Sequence, residues 1–356
     1  MRLSLIGPPQ SGKTSVFCAI TGQVPDPAAA VQERVAVVSV PDERVGWVAR
    51  LDGSKKTTPA TLEFVDVPGF SLATAHDRAE FHRHMPTMRN CDGLVAVVRG
   101  FEDESTPAYR NRIDPAADLE ELQSELLFGD LEQITNRIER LEATLSKPIP
   151  TKEKEAGHRE LGVARRCKEA LEQENPVSTV LDNEEEAKLV RSLALLTEKP
   201  LVAVLNVSED SAGDPPALAY GGSAVNVSLC AKIEAELAEL GAEDRSAFLA
   251  DLGIAEPARP RLIRACYEAL GLVSFLTGGP EEARAWSVPR GTTALEAAGK
   301  IHTDIAKGFI RAETVAFPDL DAAGSMKQAK TAGKVRLEGK GYVVQDGDVI
   351  LFRFNV

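Results

Sequence analysis

The segment at residues 7–14 constrains this chain most, because it matches the phosphate-loop pattern G-x-x-x-x-G-K-[ST]. It reads Gly7-Pro8-Pro9-Gln10-Ser11-Gly12-Lys13-Thr14, with Ser15 next, and lies between the apolar run 3–6 and a helical stretch, 14–21. Backbone amides of such a loop turn inward toward the phosphates of a nucleotide. We expect Lys13 to reach the β- and γ-phosphates and the Thr14 hydroxyl to bind Mg²⁺. A glycine turn without function is the alternative that the lysine, threonine and spacing disfavour.

A second element follows where a nucleotide hydrolase carries it. The segment 61–65 has the composition of a strand, and Asp66-Val67-Pro68-Gly69 follows it as D-x-x-G. An aspartate at the end of a strand is placed to hold the water shell of Mg²⁺, and the amide of Gly69 to contact the γ-phosphate. The predicted catalytic residues are therefore Lys13, Asp66 and Gly69, and the predicted metal ligands are Thr14 and Asp66.

Two later strand ends have the order expected of base-reading loops. The apolar run 201–205 ends in Asn206-Val207-Ser208-Glu209, and the run 225–228 precedes Leu229-Cys230-Ala231. Ligands of open α/β sheets bind at the carboxyl ends of the strands. We therefore expect nucleotide contacts from Asn206, Val207, Glu209, Leu229, Cys230 and Ala231.

The base-reading loop favours adenine over guanine. GTPases usually present Asn-Lys-x-Asp, whose aspartate accepts from N1–H and the 2-amino group of guanine. Here Val207 replaces the lysine, and Glu209 carries its carboxylate one methylene further out. Loss of that charge-assisted pair costs about 1.5–3 kcal/mol, enough to erase the guanine preference. We expect ATP as substrate, with adenine contacted by the Asn206 amide and by backbone groups of 229–231. An ordinary strand-ending turn at 206–209 is the alternative.

These segments, together with the C-terminal third, resemble the YchF/Obg-like ATPase family of Obg-type P-loop proteins. The resemblance is densest in six segments: 196–200, 206–210, 284–289, 298–304, 307–313 and 339–349. It implies an α/β fold, namely a P-loop NTPase G domain interrupted by a helical hairpin and followed by a small β-grasp-type TGS domain. It also implies an association with ribosomes and translation.

Two departures from the family concern the switch regions. The stretch 22–33 is short, rich in alanine and proline, and lacks the threonine that closes over Mg²⁺ in switch I. After Gly69, a glycine-rich switch II segment is replaced by 70–76, and Phe70 occupies the position of the water-orienting glutamine of Ras-type enzymes. His76 could position the attacking water in place of that glutamine, but an exposed loop residue without a catalytic role is the favoured interpretation. We therefore expect slow intrinsic hydrolysis.

Composition limits the remaining functions. The net charge of −13 argues against a general nucleic-acid binder, and no apolar run approaches membrane-spanning length. From Gly279 onward, 11 Lys and Arg balance 10 Asp and Glu, so this part is the better candidate for RNA contact, with basic residues at Lys327, Lys330, Lys334, Arg336 and Lys340. A solvated face is the alternative. Five widely spaced cysteines without C-x-x-C indicate reduced thiols in a cytoplasmic protein, with no leader before the first strand.

The organisation follows from these patterns. Leu127, Leu131, Ile134, Ile138, Leu141 and Leu145 form a heptad stripe, and Leu161, Ala164 and Leu171 form a returning one, which predicts a coiled-coil hairpin. We predict a G domain at 1–115 and 197–277, the helical arm at 116–196 and the TGS domain at 278–356. A helix is expected at 294–305, and His302 and Asp304 there are interpreted as structural or partner-facing.

The function expected from the sequence is a cytoplasmic, Mg²⁺-dependent ATPase switch. Its expected partners are ATP, ADP and the ribosome or ribosomal RNA, contacted by the TGS domain and the arm, without DNA or membrane. The alternatives are a nucleotide-gated binding adaptor with little hydrolysis, and a true GTPase that uses GTP.

Overall fold

A computed structural model describes residues 1–23, 33–218 and 225–355. The strands within these ranges, numbered in chain order, are β1 (Arg2–Ile6), β2 (Arg34–Ser39), β3 (Lys56–Thr58), β4 (Thr61–Asp66), β5 (Gly93–Gly100), β6 (Leu201–Val207), β7 (Val225–Leu229), β8 (Leu272–Thr277), β9 (Glu282–Pro289), β10 (Phe309–Ala316), β11 (Arg336–Glu338) and β12 (Asp348–Phe354).

The α-helices of the described residues are α1 (Lys13–Thr21), α2 (Glu43–Asp52), α3 (Ala75–Arg89), α4 (Pro115–Leu145), α5 (Thr151–Glu172), α6 (Glu184–Arg191), α7 (Ala231–Glu239), α8 (Ala242–Asp251), α9 (Ala258–Ala269), α10 (Ala294–Ile301), α11 (Thr303–Lys307), α12 (Phe317–Ala323) and α13 (Met326–Thr331). None of these helices has the length and apolar character needed to cross a membrane.

The first sheet has the strand order β2-β4-β1-β5-β6-β7. Strands β1, β5, β6 and β7 pair in parallel, and their apolar runs are almost wholly buried, as expected for a sheet covered by helices on both faces. In register, Asn206 of β6 lies beside Arg99 of β5 and Leu229 of β7. The carboxyl ends of these strands therefore share one edge, and the predicted P-loop, D-x-x-G and base loops all follow strands of this sheet.

The predicted hairpin is present as α4 and α5. Ile134, Ile138 and Leu141 of α4 pack in one buried cluster with Leu161, Ala164 and Leu171 of α5, while Leu131 and Leu145 are partly buried against it. Leu127, at the start of the predicted stripe, is half-buried. The Arg137–Glu160 and Glu142–Arg165 ion pairs join the same two helices.

A buried carboxylate anchors the arm where it leaves the sheet. Asp130 of α4 has no solvent-exposed surface and accepts from Arg89 Nη1 of α3 at 2.7 Å. It also accepts from the backbone amides of Leu196 and Thr197 and from the Thr197 hydroxyl, at 2.8–3.0 Å. Because four donors surround one carboxylate, α4, α3 and the segment before β6 are held together at this point.

The chain divides into two compact units, Met1–Ala36 with Phe64–Ala258, and Val37–Glu63 with Arg259–Val356. The sheet of the second unit has the order β11-β10-β12-β8-β9-β3. Its edge strand β3 comes from a segment that the sequence analysis assigned to the first part of the G domain, and it pairs in parallel with β9. The functional domain boundaries themselves stay predictions.

One predicted helix is wrong in detail. The helix expected at 294–305 ends at Ile301, because His302 adopts an extended conformation with φ −161° and ψ 143°. Its Nδ1 accepts from the amide of Asp304 at 3.2 Å and thereby caps α11. This contact gives His302 a structural role, one of the two that the sequence left open for it. All five cysteines are free, as predicted, and all five are buried.

Candidate functional site

The phosphate loop passes close to two neighbouring strands, and glycines make this approach sterically feasible. Gly12, the N-cap of α1, has φ 81°, and a Cβ at this position would collide with the Asn206 amide. At Gly7 a Cβ would collide with the backbone oxygen of Val97. Gln10 also adopts a left-handed conformation, with φ 62°. The loop therefore has the tight turn that lets its amides converge before a helix N-terminus.

Lys13 is buried and forms an ion pair with Asp66. The Nζ atom donates to Oδ1 of Asp66, and each side chain is 5% exposed. Burial lowers the pKa of Lys13, and Asp66 opposes that shift. The structure therefore brings together the two residues that the sequence predicted for phosphate and metal contact, 53 positions apart.

The residues around this pair fit a bound nucleotide and Mg²⁺. The Ser11 hydroxyl is buried in the loop and has no hydrogen-bond partner among the described residues. Gly69 lies against the loop, since a Cβ there would come within 3.7 Å of the Cα of Pro9. Thr14, half-buried, and Asp66 offer the hard oxygen ligands that Mg²⁺ prefers. No cluster of three or more His, Cys, Asp or Glu suited to a metal occurs in the described ranges, and a P-loop site needs none because phosphates and water complete it.

Asn206 connects the loop to the second base-reading segment. Its Nδ2 donates to the backbone oxygen of Ser11 at 3.1 Å, and its Oδ1 accepts from the amide of Ala231 at 3.0 Å. The side chain is 5% exposed. The Oδ1 acceptor and the Ala231 amide thus pair with each other, and within the described ranges the second Nδ2 hydrogen donates to no other group.

A cleft of about 640 Å³ continues from the loop toward the predicted base site. Seven predicted residues line it: Gly12, Ser15, Asn206, Val207, Glu209, Cys230 and Ala231. Leu229 does not line it and is buried in the core. Contact of these residues with a nucleotide stays a prediction.

Glu209 is ion-paired at the mouth of this cleft. Its Oε2 accepts from Lys232 Nζ at 2.7 Å, and the side chains are 49% and 66% exposed. This hydrogen bond raises the pKa of Lys232. The carboxylate that stands in for the guanine-reading aspartate is therefore already occupied by a cation of the same chain.

Three residues near the site escaped the sequence analysis. Phe101 follows β5 directly and lines the cleft, with the Arg99 guanidinium 4.5 Å from its ring centroid. Lys232 follows the predicted Ala231 by one position. Arg34 begins β2 and donates from Nη2 to the second oxygen of Asp66 at 3.0 Å. Position directly after a strand end was the available signal for Phe101, whereas Arg34 carries no sequence pattern.

The segment after Gly69 turns its aromatic side chain inward. Phe70 is 5% exposed, and its ring centroid lies 4.0 Å from that of Phe81 in α3. His76 is exposed in the first turn of α3, which Thr74 and Asp77 cap reciprocally. The buried ring of Phe70 has no polar atom that could orient an attacking water molecule. Most of the shortened switch I segment lies outside the described residues.

Comparison with known proteins gives full-length matches. Residues 272–355 match the family model YchF-GTPase_C, described as a protein of unknown function (DUF933). The "Ribosome-binding ATPase YchF" of Bacillus subtilis is 42% identical over 99% of this chain and 98% of its own length. The protein of the same name from Haemophilus ducreyi is 38% identical over 100% and 99%.

A solved structure also matches this chain over nearly its whole length. The Schizosaccharomyces pombe YchF GTPase matches with a TM-score of 0.82 and 26% identity, covering 99% of this chain and 97% of its own. The expected fold class, a P-loop G domain with an additional C-terminal domain, is thereby confirmed. With the P-loop, the D-x-x-G aspartate and Asn-x-x-Glu at one sheet edge and relatives this similar along the whole length, the chain belongs to the YchF/Obg-like family of P-loop proteins.

Proposed function

We propose that this chain is a Mg²⁺-dependent nucleoside triphosphatase that prefers ATP to GTP, hydrolyses it slowly on its own and acts at the ribosome in the cytoplasm. The observation that carries the proposal is the cleft lined by Gly12, the residue before the Lys13 that pairs with Asp66, and by the ion-paired Glu209 and Lys232. The names of the relatives, ribosome-binding ATPase and YchF GTPase, support the same class.

At the phosphate end, each residue has a distinct task. An arriving triphosphate gives Lys13 a stronger anionic partner than Asp66, so its ammonium moves to the β- and γ-phosphates. Thr14 and Asp66 would hold Mg²⁺, which when bound neutralises charge on the phosphates. The loop amides and the α1 N-terminus stabilise charge that develops on the transferring phosphoryl group.

At the base end, the charges favour adenine. Lys232 neutralises Glu209 and presents N–H donors beside it, which match the N1 acceptor of adenine and oppose the N1–H donor of guanine. The Ala231 amide, bonded to Asn206, offers no free donor to the O6 of guanine. Phe101 supplies a partly exposed aromatic wall.

Slow turnover follows from the switch segment. Phe70 is packed on Phe81, so no side chain at this position orients the attacking water. The same observation favours the second candidate, an adaptor that binds ATP with little hydrolysis. We expect single-turnover hydrolysis below about 1 s⁻¹, the low end of usual kcat values.

Calorimetry with ATP, ADP, GTP and GDP in Mg²⁺ tests base choice. ATP is expected to bind tighter than GTP, and GTP binding at least about tenfold tighter would instead support a true GTPase. Hydrolysis by wild type and Lys13→Ala at saturating ATP then separates enzyme from adaptor. If the two proteins hydrolyse ATP at equal rates while only wild type binds it, the enzyme hypothesis fails and the binding adaptor is supported.

Ribosome contact is tested by co-sedimentation with purified ribosomes in ATP and in ADP. All five residues of the basic run in the second unit are exposed, and three of them, Lys330, Lys334 and Arg336, are ion-paired with carboxylates. We expect Lys327→Glu with Lys340→Glu to weaken sedimentation if this unit contacts RNA, because counterion release is lost. If the double variant sediments with ribosomes as wild type does, the helical arm becomes the favoured ribosome contact.

A further inference from the structure

Asp66 is held from both sides by cations of its own chain. Lys13 donates to Oδ1, and Arg34 Nη2 donates to Oδ2 at 3.0 Å. The Asp66 side chain is 5% exposed and that of Arg34 is 14% exposed. Each oxygen therefore already accepts from a cationic group, and a further cation would have to share or displace one of these two contacts.

The contact of Arg34 differs from a saturated structural ion pair. Only one of its nitrogens, Nη2, donates to the carboxylate, and the buried Nε has no hydrogen-bond partner among the described residues. The guanidinium carbon lies 4.7 Å from the ring centroid of Phe17, and Nη2 lies 3.9 Å from Cys18 Sγ. A bidentate Arg–carboxylate pair is the stronger, fixed arrangement, so this single contact is displaceable.

The two cations respond differently to a nucleotide. Lys13 belongs to the phosphate loop and gains the phosphates as partners, which frees Oδ1. Arg34 lies on β2, outside that loop, and nothing in the P-loop chemistry requires it to leave Oδ2. A divalent cation that approaches Asp66 therefore meets the Arg34 guanidinium, which is already hydrogen-bonded to the carboxylate. Two positive charges beside one carboxylate repel each other strongly in a buried site.

We propose that Arg34 is a positioning residue that competes with Mg²⁺ for Asp66, so that Mg²⁺ adds less to nucleotide affinity than the P-loop and Asp66 would otherwise give. This inference rests on the proposed nucleotide-binding function. It assigns a specific role to a residue on the strand after the shortened switch I segment, namely control of the metal requirement.

Binding of a fluorescent ATP analogue to the full chain tests the proposal without using turnover. Affinity is measured from EDTA to excess Mg²⁺ for wild type, Arg34→Gln and Arg34→Lys. Arg34→Gln is expected to lower the Mg²⁺ midpoint by about tenfold, because the competing charge is removed. Arg34→Lys, which keeps the positive charge, is expected to stay within about threefold of wild type.

A double-mutant cycle connects the effect to the carboxylate. In an Asp66→Asn background, Arg34→Gln is expected to leave the Mg²⁺ midpoint unchanged, because the carboxylate for which Arg34 and Mg²⁺ compete is absent. An unchanged midpoint in the single Arg34→Gln variant overturns the proposal. So does an affinity loss of more than about tenfold in EDTA with no change in midpoint, since Arg34 would then be a phosphate ligand.

Wild type alone provides a measurement that does not depend on a folded variant. Its affinity for the ATP analogue in EDTA is expected to lie within about tenfold of the affinity in Mg²⁺, and a dependence above about a hundredfold overturns the proposal. Absence of binding at every Mg²⁺ concentration contradicts the proposed function itself. Binding with a midpoint insensitive to Arg34 contradicts only the competition.

Discussion

Asn206 donates to the backbone oxygen of Ser11 at 3.1 Å, across 195 positions of sequence. The same side chain accepts from the amide of Ala231 at 3.0 Å. One buried amide thus fixes the phosphate loop relative to the loop at the base end of the cleft. The spacing between the two halves of the site depends on this residue.

We expect Asn206→Ala to lower the free energy of unfolding by about 1–3 kcal/mol, because the Ser11 oxygen and the Ala231 amide lose their buried partner. ATP and GTP affinities should both fall, since loss of the contact to Ser11 releases the loop that would bind the phosphates of either nucleotide. Urea unfolding and calorimetry measure both effects. Asn136→Ala, at an exposed position of α4, is the control and should change stability by less than about 0.5 kcal/mol. Retention of both stability and affinity in Asn206→Ala would contradict this role.

Lys232→Ala should shift base selection toward guanine. Removal of the ammonium frees the Glu209 carboxylate to accept from guanine and deletes the donors that suit adenine. The ratio of the GTP to the ATP dissociation constant is expected to fall by about tenfold. Lys188→Ala removes a comparable exposed lysine paired with Glu184 on α6 and should leave the ratio unchanged. The interpretation fails if both variants give the wild-type ratio.

Two helical glycines should respond to alanine in opposite directions. A Cβ at Gly129 of α4 would collide with the end of Met85, a buried side chain of α3, whereas nothing lies within 4 Å of a Cβ at Gly162 of α5. Gly162→Ala should therefore stabilise the protein by about 0.5–1 kcal/mol through helix propensity. Gly129→Ala should be less stable than Gly162→Ala by about 1–3 kcal/mol. Equal stabilisation in urea unfolding would show that Met85 yields without cost.

Asp118 of α4 should make stability depend on pH. The residue is 3% exposed, and burial raises its pKa to about 6, although Arg112 lies 3.3 Å away. Because the folded pKa exceeds the unfolded value of 3.8, the stabilising contribution is full below about pH 4 and is lost as pH rises through about 6. Asp118→Asn is therefore expected to be more stable than wild type by about 1–3 kcal/mol at pH 8.

The same comparison at pH 4 serves as its own control. There Asp118 is protonated in the folded state, and the advantage of asparagine should shrink toward zero. Urea unfolding at the two pH values measures the difference. An advantage of equal size at both would assign the effect to hydrogen bonding or helix propensity and not to ionisation.

The sequence identified the strand ends of the site because their pattern is local. The P-loop, Asp66 and Asn206 each follow an apolar run, and parallel strands bring such ends to one edge whatever the connecting segments do. The heptad stripe located the arm for a similar reason, since apolar spacing on a helix reports its buried face.

The features that the sequence did not predict are single side chains of the site and strand pairings between segments distant in sequence. Arg34, Phe101 and Lys232 are isolated residues, and only the fold reveals that two of them neutralise carboxylates of the site. The pairing of β3 with β9 joins segments more than 200 positions apart, and no local pattern encodes it. The break at His302 was missed because apolar spacing continues across it, while the competing side-chain cap does not alter that spacing.

The anchored carboxylate of Asp130, midway along α4, marks the point about which the outer half of that helix would rotate. From Asp130 to the end of the helix at Leu145 the chain advances about 22 Å at 1.5 Å per residue. A rotation of about 10° at the anchor would carry the tip through about 4 Å, more than a hydrogen-bond length. Because α3, which follows D-x-x-G, contributes Arg89 to that anchor, an ångström-scale shift of α3 at this point would be amplified geometrically at the far end of the arm.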